Sequence, residues 1–321
     1  MRLPLAHLPT PIEPLKRLSP PGGPMLWVKR DDMTGAETAG NKLRKLEYAL
    51  DEALVQGCDC VVTVGAAQSN HCRATAAACA RLGLGCHLVL SGEPKAYEGN
   101  YFLDGLLGAR IHLMAPGDTL HNASQALCER LRAANKRPYL IPLGASNAVG
   151  AQGYAQAFDE ILAQEQALGL RFDSICLAVG SGGSYAGLQQ ANWQTGSGRR
   201  ILGFSVSQPS EHFAQAITQI LRDMGSPEAA AGIQINDAHV GLGYGLAQAE
   251  EIAAYLRIGA LEGLALDPCY TGKAFLGMLA QLARGGFQGD QHILFIHTGG
   301  LWGWTASQRA MAADIMKESN E

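Results

Sequence analysis

The sequence predicts an α/β protein with two domains, each built on a parallel-rich twisted sheet flanked by helices. Three observations carry that expectation. Short apolar or β-branched runs alternate with Ala/Leu-rich stretches of helical period from about residue 43 onward, the pattern of strands joined by crossover helices. Four strand-like runs fall before residue 145 and a second set begins at Asp173, so the strands divide into two groups. At 321 residues, with 39 glycines, the chain is long enough for two cores and rich in tight turns.

Taken in order, strands are expected over 60–64, 86–90, 110–114 and 139–142, then over 174–179, 201–206 and 292–296. Helices are expected over 43–56, 71–82, 148–168 and 272–282. In the first of these, Leu43, Leu46, Leu50 and Leu54 recur at helical spacing before Gly57, and Asn41 is the expected N-cap. The two strand groups place a smaller domain, residues 44–150, inside a larger one made of residues 1–43 and 151–321.

Composition narrows the function. A formal net charge of −4 without any Lys/Arg-rich run offers no field for a phosphate backbone, which argues against nucleic acid. Eight cysteines, mostly in apolar stretches and without paired CxxC spacing, read as reduced core thiols; Cys58 and Cys60 alone make no metal site. The first residues hold no apolar run long enough for a signal peptide, and no segment approaches the ~20 apolar residues of a membrane span. A cytoplasmic protein with no membrane partner is expected.

Chemistry-bearing residues cluster at turns. Lys42 falls in the first turn of a helix, where a cation opposes the positive end of the helix dipole; the neutral amine that attacks aldehydes is thereby favoured. Val179-Gly-Ser-Gly-Gly-Ser184 follows a strand and opens a helix, so its backbone N–H groups can converge on a phosphate. It lacks the Lys-Ser/Thr end of a nucleotide-binding loop, and Tyr185 stands at the third glycine of the dinucleotide fingerprint. The same stretch nearly fits the G-x-S-x-G elbow of a serine hydrolase, with Ser184 as nucleophile and a later histidine such as His297 as base.

Gln68-Ser69-Asn70-His71 gathers donors at a strand-to-helix turn where a substrate carboxylate could bind, though helix capping alone also explains it. The echo at 144–147, Gly-Ala-Ser-Asn, has the same capping logic. Tyr244 and Tyr270 lie in turns that can face a cleft, and Thr298 follows a strand's carboxyl end, where open α/β sheets bind ligands. Trp302 and Trp304 could line the cleft or pack; the sequence leaves both readings open.

In this order the motifs resemble the pyridoxal-phosphate family containing D-cysteine desulfhydrase and 1-aminocyclopropane-1-carboxylate deaminase, with the tryptophan-synthase-β-like fold (fold type II). The resemblance runs from Leu8-Pro-Thr-Pro-Ile-Glu-Pro14 and Trp27-Val-Lys-Arg-Asp-Asp32 through Gly40-Asn-Lys-Leu-Arg-Lys-Leu-Glu-Tyr48 and Gln68-Ser-Asn-His71 to His297-Thr-Gly-Gly300. It implies pyridoxal 5'-phosphate attached to Lys42, with its phosphate held by Lys45 and the backbone of Ser181, Gly182, Gly183 and Ser184. It further implies Asn70 at the phenolic oxygen, Ser69 at the substrate carboxylate or reacting carbon, Tyr244 and Tyr270 flanking the substrate, and Thr271 or Thr298 near the pyridine nitrogen. A small amino-acid substrate and a homodimer are implied as well.

One position sorts the family. The deaminase branch carries Glu directly after the second tyrosine, whereas this chain has Thr271, as the desulfhydrase branch does. A neutral hydroxyl leaves the ring nitrogen largely unprotonated and the carbanion less stabilised, which suits substrates whose β-substituent leaves promptly. The expectation is β-elimination from D-cysteine, with L-cysteate and 1-aminocyclopropane-1-carboxylate as alternatives.

Overall fold

The computed structural model describes residues 2–92 and 96–318. Among them, strands β1 (Ile12–Pro14), β2 (Met25–Lys29), β3 (Cys60–Ala66), β4 (Gly85–Ser91), β5 (Arg110–Leu113), β6 (Pro138–Ile141), β7 (Ser174–Val179), β8 (Arg200–Ser205), β9 (Gln234–Asn236) and β10 (His292–Ile296) form two sheets. Order β1-β2-β10-β7-β8-β9 makes the larger and β5-β4-β3-β6 the smaller. Every pairing is parallel except β1 with β2. The smaller sheet comes entirely from chain between β2 and β7.

The helices are α1 (Asn41–Val55), α2 (Asn70–Leu82), α3 (Gly99–Leu106), α4 (Leu120–Ala133), α5 (Ala148–Leu168), α6 (Gly183–Gln194), α7 (Ser210–Asp223), α8 (Ala249–Glu262), α9 (Thr271–Ala283) and α10 (Ala306–Glu318). All seven expected strands form, with ends shifted by no more than two residues. Three further strands lie outside the expected set: β1 and β9, of three residues each, and β2, which lies beside β10 and packs Leu26 and Val28 inward.

Asn41 is not the cap of α1. Gly40 caps it at φ 114°, a left-handed conformation that glycine alone adopts without strain. A Cβ there would lie 2.7 Å from the Thr298 carbonyl oxygen. That oxygen instead accepts from Asn41 N at 3.1 Å, so the first turn of α1 docks on the end of β10 and the Asn41 side chain is released for the site.

The expected division at residue 43/44 falls inside α1, which runs unbroken. Its Leu43, Leu46 and Leu50 are fully buried in the core around the smaller sheet, with Val61, Leu88 and Ile141. Each contributes roughly 1.5–3 kcal/mol by leaving water. The larger sheet has a core on either face, one with α5 and α6, the other with α8 and α9.

Candidate active site

Parallel strands aim their carboxyl ends alike, and here the ends of β3, β7 and β10 open on one cavity of about 350 Å³. Ala66, Val179 and Thr298 mark those ends in its wall.

Lys42 enters the cavity from the first turn of α1. Its amine donates to Asn41 Oδ1 at 3.0 Å and stands 5.9 Å from the Tyr270 ring centre. Burial lowers its pKa to about 8, against the opposing pull of Asp267 and Cys269. A lysine so placed is neutral in roughly a tenth of molecules at pH 7, far more often than an ordinary exposed lysine, and the neutral form is the nucleophilic amine.

The glycine turn after β7 builds the opposite corner. Gly182 is left-handed at φ 86° and no side chain caps α6. Beneath the turn, Lys45 Nζ donates to the Gly144 carbonyl and, at 2.8 Å, to Ser146 Oγ, which is 2.7 Å from Ser181 Oγ. A Cβ on Gly183 would meet Lys45 Nζ at 2.6 Å and Ser146 Oγ at 2.7 Å. Burial drives the pKa of Lys45 well below the ordinary lysine value, with the Lys42 charge adding to the effect. Its hydrogen bonds reach no carboxylate, so an anion at this turn would supply the missing countercharge.

Ser69, Asn70 and His71 form the wall from the smaller sheet. Ser69 is indeed the N-cap of α2, accepting from Cys72 N at 3.2 Å, but it also faces the cavity. Asn70 Oδ1 accepts from Asn100 Nδ2 at 2.8 Å, leaving its own amide as a donor. His71 Nε2 is 2.8 Å from Thr63 Oγ1, whose proton goes to the Ile141 carbonyl. His71 therefore donates from Nε2, and its buried Nδ1 is an acceptor without a partner. Burial first, then the charges of Lys42 and Lys45, keep the ring neutral. Gln68 turns elsewhere: its side chain accepts from Asn100 N at 2.9 Å and donates to the Glu98 carbonyl at 3.1 Å, bracing α3 outside the cavity.

Tyr244 and Tyr270 meet over the cavity with their hydroxyls 2.5 Å apart. The two threonines part company. Thr298 lines the cavity, while the Thr271 hydroxyl is spent on Asp267, donating to Oδ1 at 2.6 Å and accepting from Asp267 N at 2.8 Å. Ser184 Oγ accepts from Asn41 Nδ2 at 3.0 Å. His297 is tied to the Ala265 carbonyl and Gly299 N, so the pair expected of a serine hydrolase is not assembled. Trp304 donates to the Leu266 carbonyl and Trp302 lies half-exposed; neither lines the cavity. Ser146 and Gly144 line or brace the turn unannounced, their one signal being the 144–147 echo read only as a cap.

The model of the family described as pyridoxal-phosphate dependent enzyme matches residues 3–299. The chain belongs to that family. This pyridoxal-phosphate-dependent enzyme is 41% identical over 309 residues to the D-cysteine desulfhydrase of Yersinia enterocolitica, covering 93% of each chain. It is 38% identical over 317 residues to the mitochondrial bifunctional D-cysteine desulfhydrase/1-aminocyclopropane-1-carboxylate deaminase of Arabidopsis thaliana, covering 93% of this chain and 78% of that one. A solved ACC deaminase homologue superposes with a TM-score of 0.88 at 35% identity, over 97% of this chain and 95% of that one. The residues present fit the cofactor: a lysine amine of lowered pKa, and a glycine cradle that a single Cβ would fill beside the buried Lys45 amine. No described helix is long and apolar enough to cross a membrane.

Proposed function

We propose that the chain catalyses β-elimination from D-cysteine, consuming water and releasing sulfide, pyruvate and ammonia. One observation supports this above the rest: the Lys42 amine, its pKa lowered to about 8, shares a cavity with the paired hydroxyls of Tyr244 and Tyr270. A base and an acid thus share one small cavity.

Pyridoxal phosphate, when bound, supplies the electron sink for charge developing at the substrate's α-carbon. The remaining work belongs to the protein. Lys42 would hold the cofactor covalently, and its amine would take the substrate's α-proton. Ser181 to Ser184, with Lys45 beneath them, would hold the phosphate, and the free Asn70 amide would donate to the phenolic oxygen. The Ser69 hydroxyl and the start of α2 bind the substrate carboxylate. Tyr270, its pKa raised by burial and then by Tyr244 and Cys269, stays protonated and donates toward the departing sulfur. Thr298, which lines the cavity, would offer the ring nitrogen a neutral hydroxyl, in keeping with a prompt leaving group rather than a long-lived carbanion.

A second reading, opening of the 1-aminocyclopropane-1-carboxylate ring, draws support from the names of the Arabidopsis relative and the solved homologue. The test offers purified enzyme D-cysteine, L-cysteate and 1-aminocyclopropane-1-carboxylate in parallel and measures sulfide, sulfite and 2-oxobutanoate. Sulfide from D-cysteine is expected to dominate. Sulfite or 2-oxobutanoate as the sole product would overturn the assignment.

A further inference from the structure

Tyr244 stands in a segment with little to hold it. Between β9 and α8 the chain makes no regular element, glycines 241, 243 and 245 take φ of 63°, 107° and 71°, and Gly241, Leu242 and Tyr244 are exposed. Such a stretch has high backbone entropy and few apolar contacts, the conditions for local opening. Yet the Tyr244 hydroxyl is delivered to Tyr270 at 2.5 Å.

What fixes the loop comes from two helices below it. Lys273, in the first turn of α9 and 1% exposed, donates to the carbonyls of Gly243 and, at 2.7 Å, of Val240. Gln308 on α10, also buried, donates to the Gly245 carbonyl at 2.9 Å while its own carbonyl is held by Thr305 N at 3.0 Å. The lysine is costly where it is. It is a cation at the positive end of a helix dipole, buried, and hydrogen-bonded to backbone carbonyls instead of a carboxylate. The Gly243 carbonyl held by Lys273 and the Gly245 carbonyl held by Gln308 bracket Tyr244, and α9 is also the helix whose N-cap is Tyr270. One rigid element therefore carries one tyrosine and anchors the loop bearing the other.

We propose that Lys273 is a positioning residue, which holds the 240–245 loop so that Tyr244 meets Tyr270 over the cavity, with Gln308 as a second tether. This deepens the elimination reading, because it makes the acid side of the site depend on a lysine that never touches substrate. A tether acting only through Tyr244 loses its value once the Tyr244 hydroxyl is gone; a lysine that merely stabilises the fold does not.

The test uses holoenzyme and two readouts. Amide hydrogen exchange followed by mass spectrometry in Lys273→Met is expected to speed roughly tenfold or more across 240–248 while the rest of the chain keeps its protection. Sulfide release from D-cysteine should fall roughly tenfold or more in Lys273→Met, chiefly in kcat, but change less than about twofold when the same substitution is made in Tyr244→Phe. Unchanged exchange at 240–248, exchange rising evenly through the chain, or equal losses in both backgrounds would each overturn the proposal. Should Lys273→Met fail to fold, Gln308→Leu removes the other tether from a different helix and is read by the same criteria. An unmutated enzyme inactive on D-cysteine defeats the substrate assignment alone, since the exchange measurement needs no substrate.

Discussion

Lys42 shows how one residue's chemistry is set by position. Its amine falls from 10.5 to about 8 because burial disfavours the ammonium more than Asp267 and Cys269 favour it. The neutral form is the one that reacts with an aldehyde, so uptake of pyridoxal phosphate by the cofactor-free chain should rise with pH through about 8 and level off above it. Stopped-flow absorbance across pH 6 to 11 measures this; a midpoint near the ordinary lysine value of 10.5 would contradict the buried environment. The lysine's place in a helix's first turn was legible in the sequence, and so was the direction of the shift. Its size was not, because burial comes from walls supplied by Ala66, Ser69 to His71, Ala178 to Gly182 and Thr298, far away in sequence.

At the scale of elements, the turn between β7 and α6 does most to define the site. Lys45, Ser146 and Gly183 converge there from three segments, and the space left at Gly183 is smaller than a methyl group. Gly183→Ala should leave the fold intact but weaken cofactor binding by at least about tenfold, roughly 1.4 kcal/mol. Titration of the cofactor-free variant with pyridoxal phosphate reads this directly, and unchanged affinity would show that the turn does not cradle the phosphate. Elements of strong period were legible: α1 and α5, and the seven expected strands, lie where the apolar spacing put them. The short strands β1 and β9 were not, because three residues carry too little periodicity to outweigh their neighbours. The start of α1 departs from the expected cap for a different reason. Asn41 has the right side chain for a cap, but the Thr298 carbonyl fills the capping role from across the molecule.

For the whole molecule, the joint between the two sheets is a buried ionic cluster. Arg44 on α1 reaches Asp31 after β2 at 2.7 Å and Glu160 on α5 at 3.0 Å; Lys29 shares Glu160 at 2.6 Å, and the Tyr154 hydroxyl donates to Asp31 at 2.6 Å. Burial would raise the Asp31 pKa, but Arg44, Lys29 and Tyr154 together outweigh it and hold it at about 2. Arg44→Met leaves Asp31 buried without its main partner, so unfolding in denaturant should show a loss of roughly 3–5 kcal/mol. A loss under about 1 kcal/mol would mean the cluster is not what couples the sheets. Because Asp31 is depressed in the folded chain, its share of stability is full above pH 4 and fades as pH falls toward 2. That acid-sensitive share should be missing from the variant.

By itself the sequence determined the alternation of strands and helices, the glycine turn, the reactive lysine and the family to which they belong, since each is written in neighbouring residues through period, turn chemistry and motif. Only the tertiary structure decided which donors share a cavity. It sent Gln68 to brace a helix while Ser69 beside it faced inward, gave Thr298 the cavity and Thr271 to Asp267, and set Lys45 against Ser146 beneath a turn some 140 positions onward. The reason is physical. A side chain's direction and burial are fixed by packing against distant segments, and one sequence window carries no record of what folds against it.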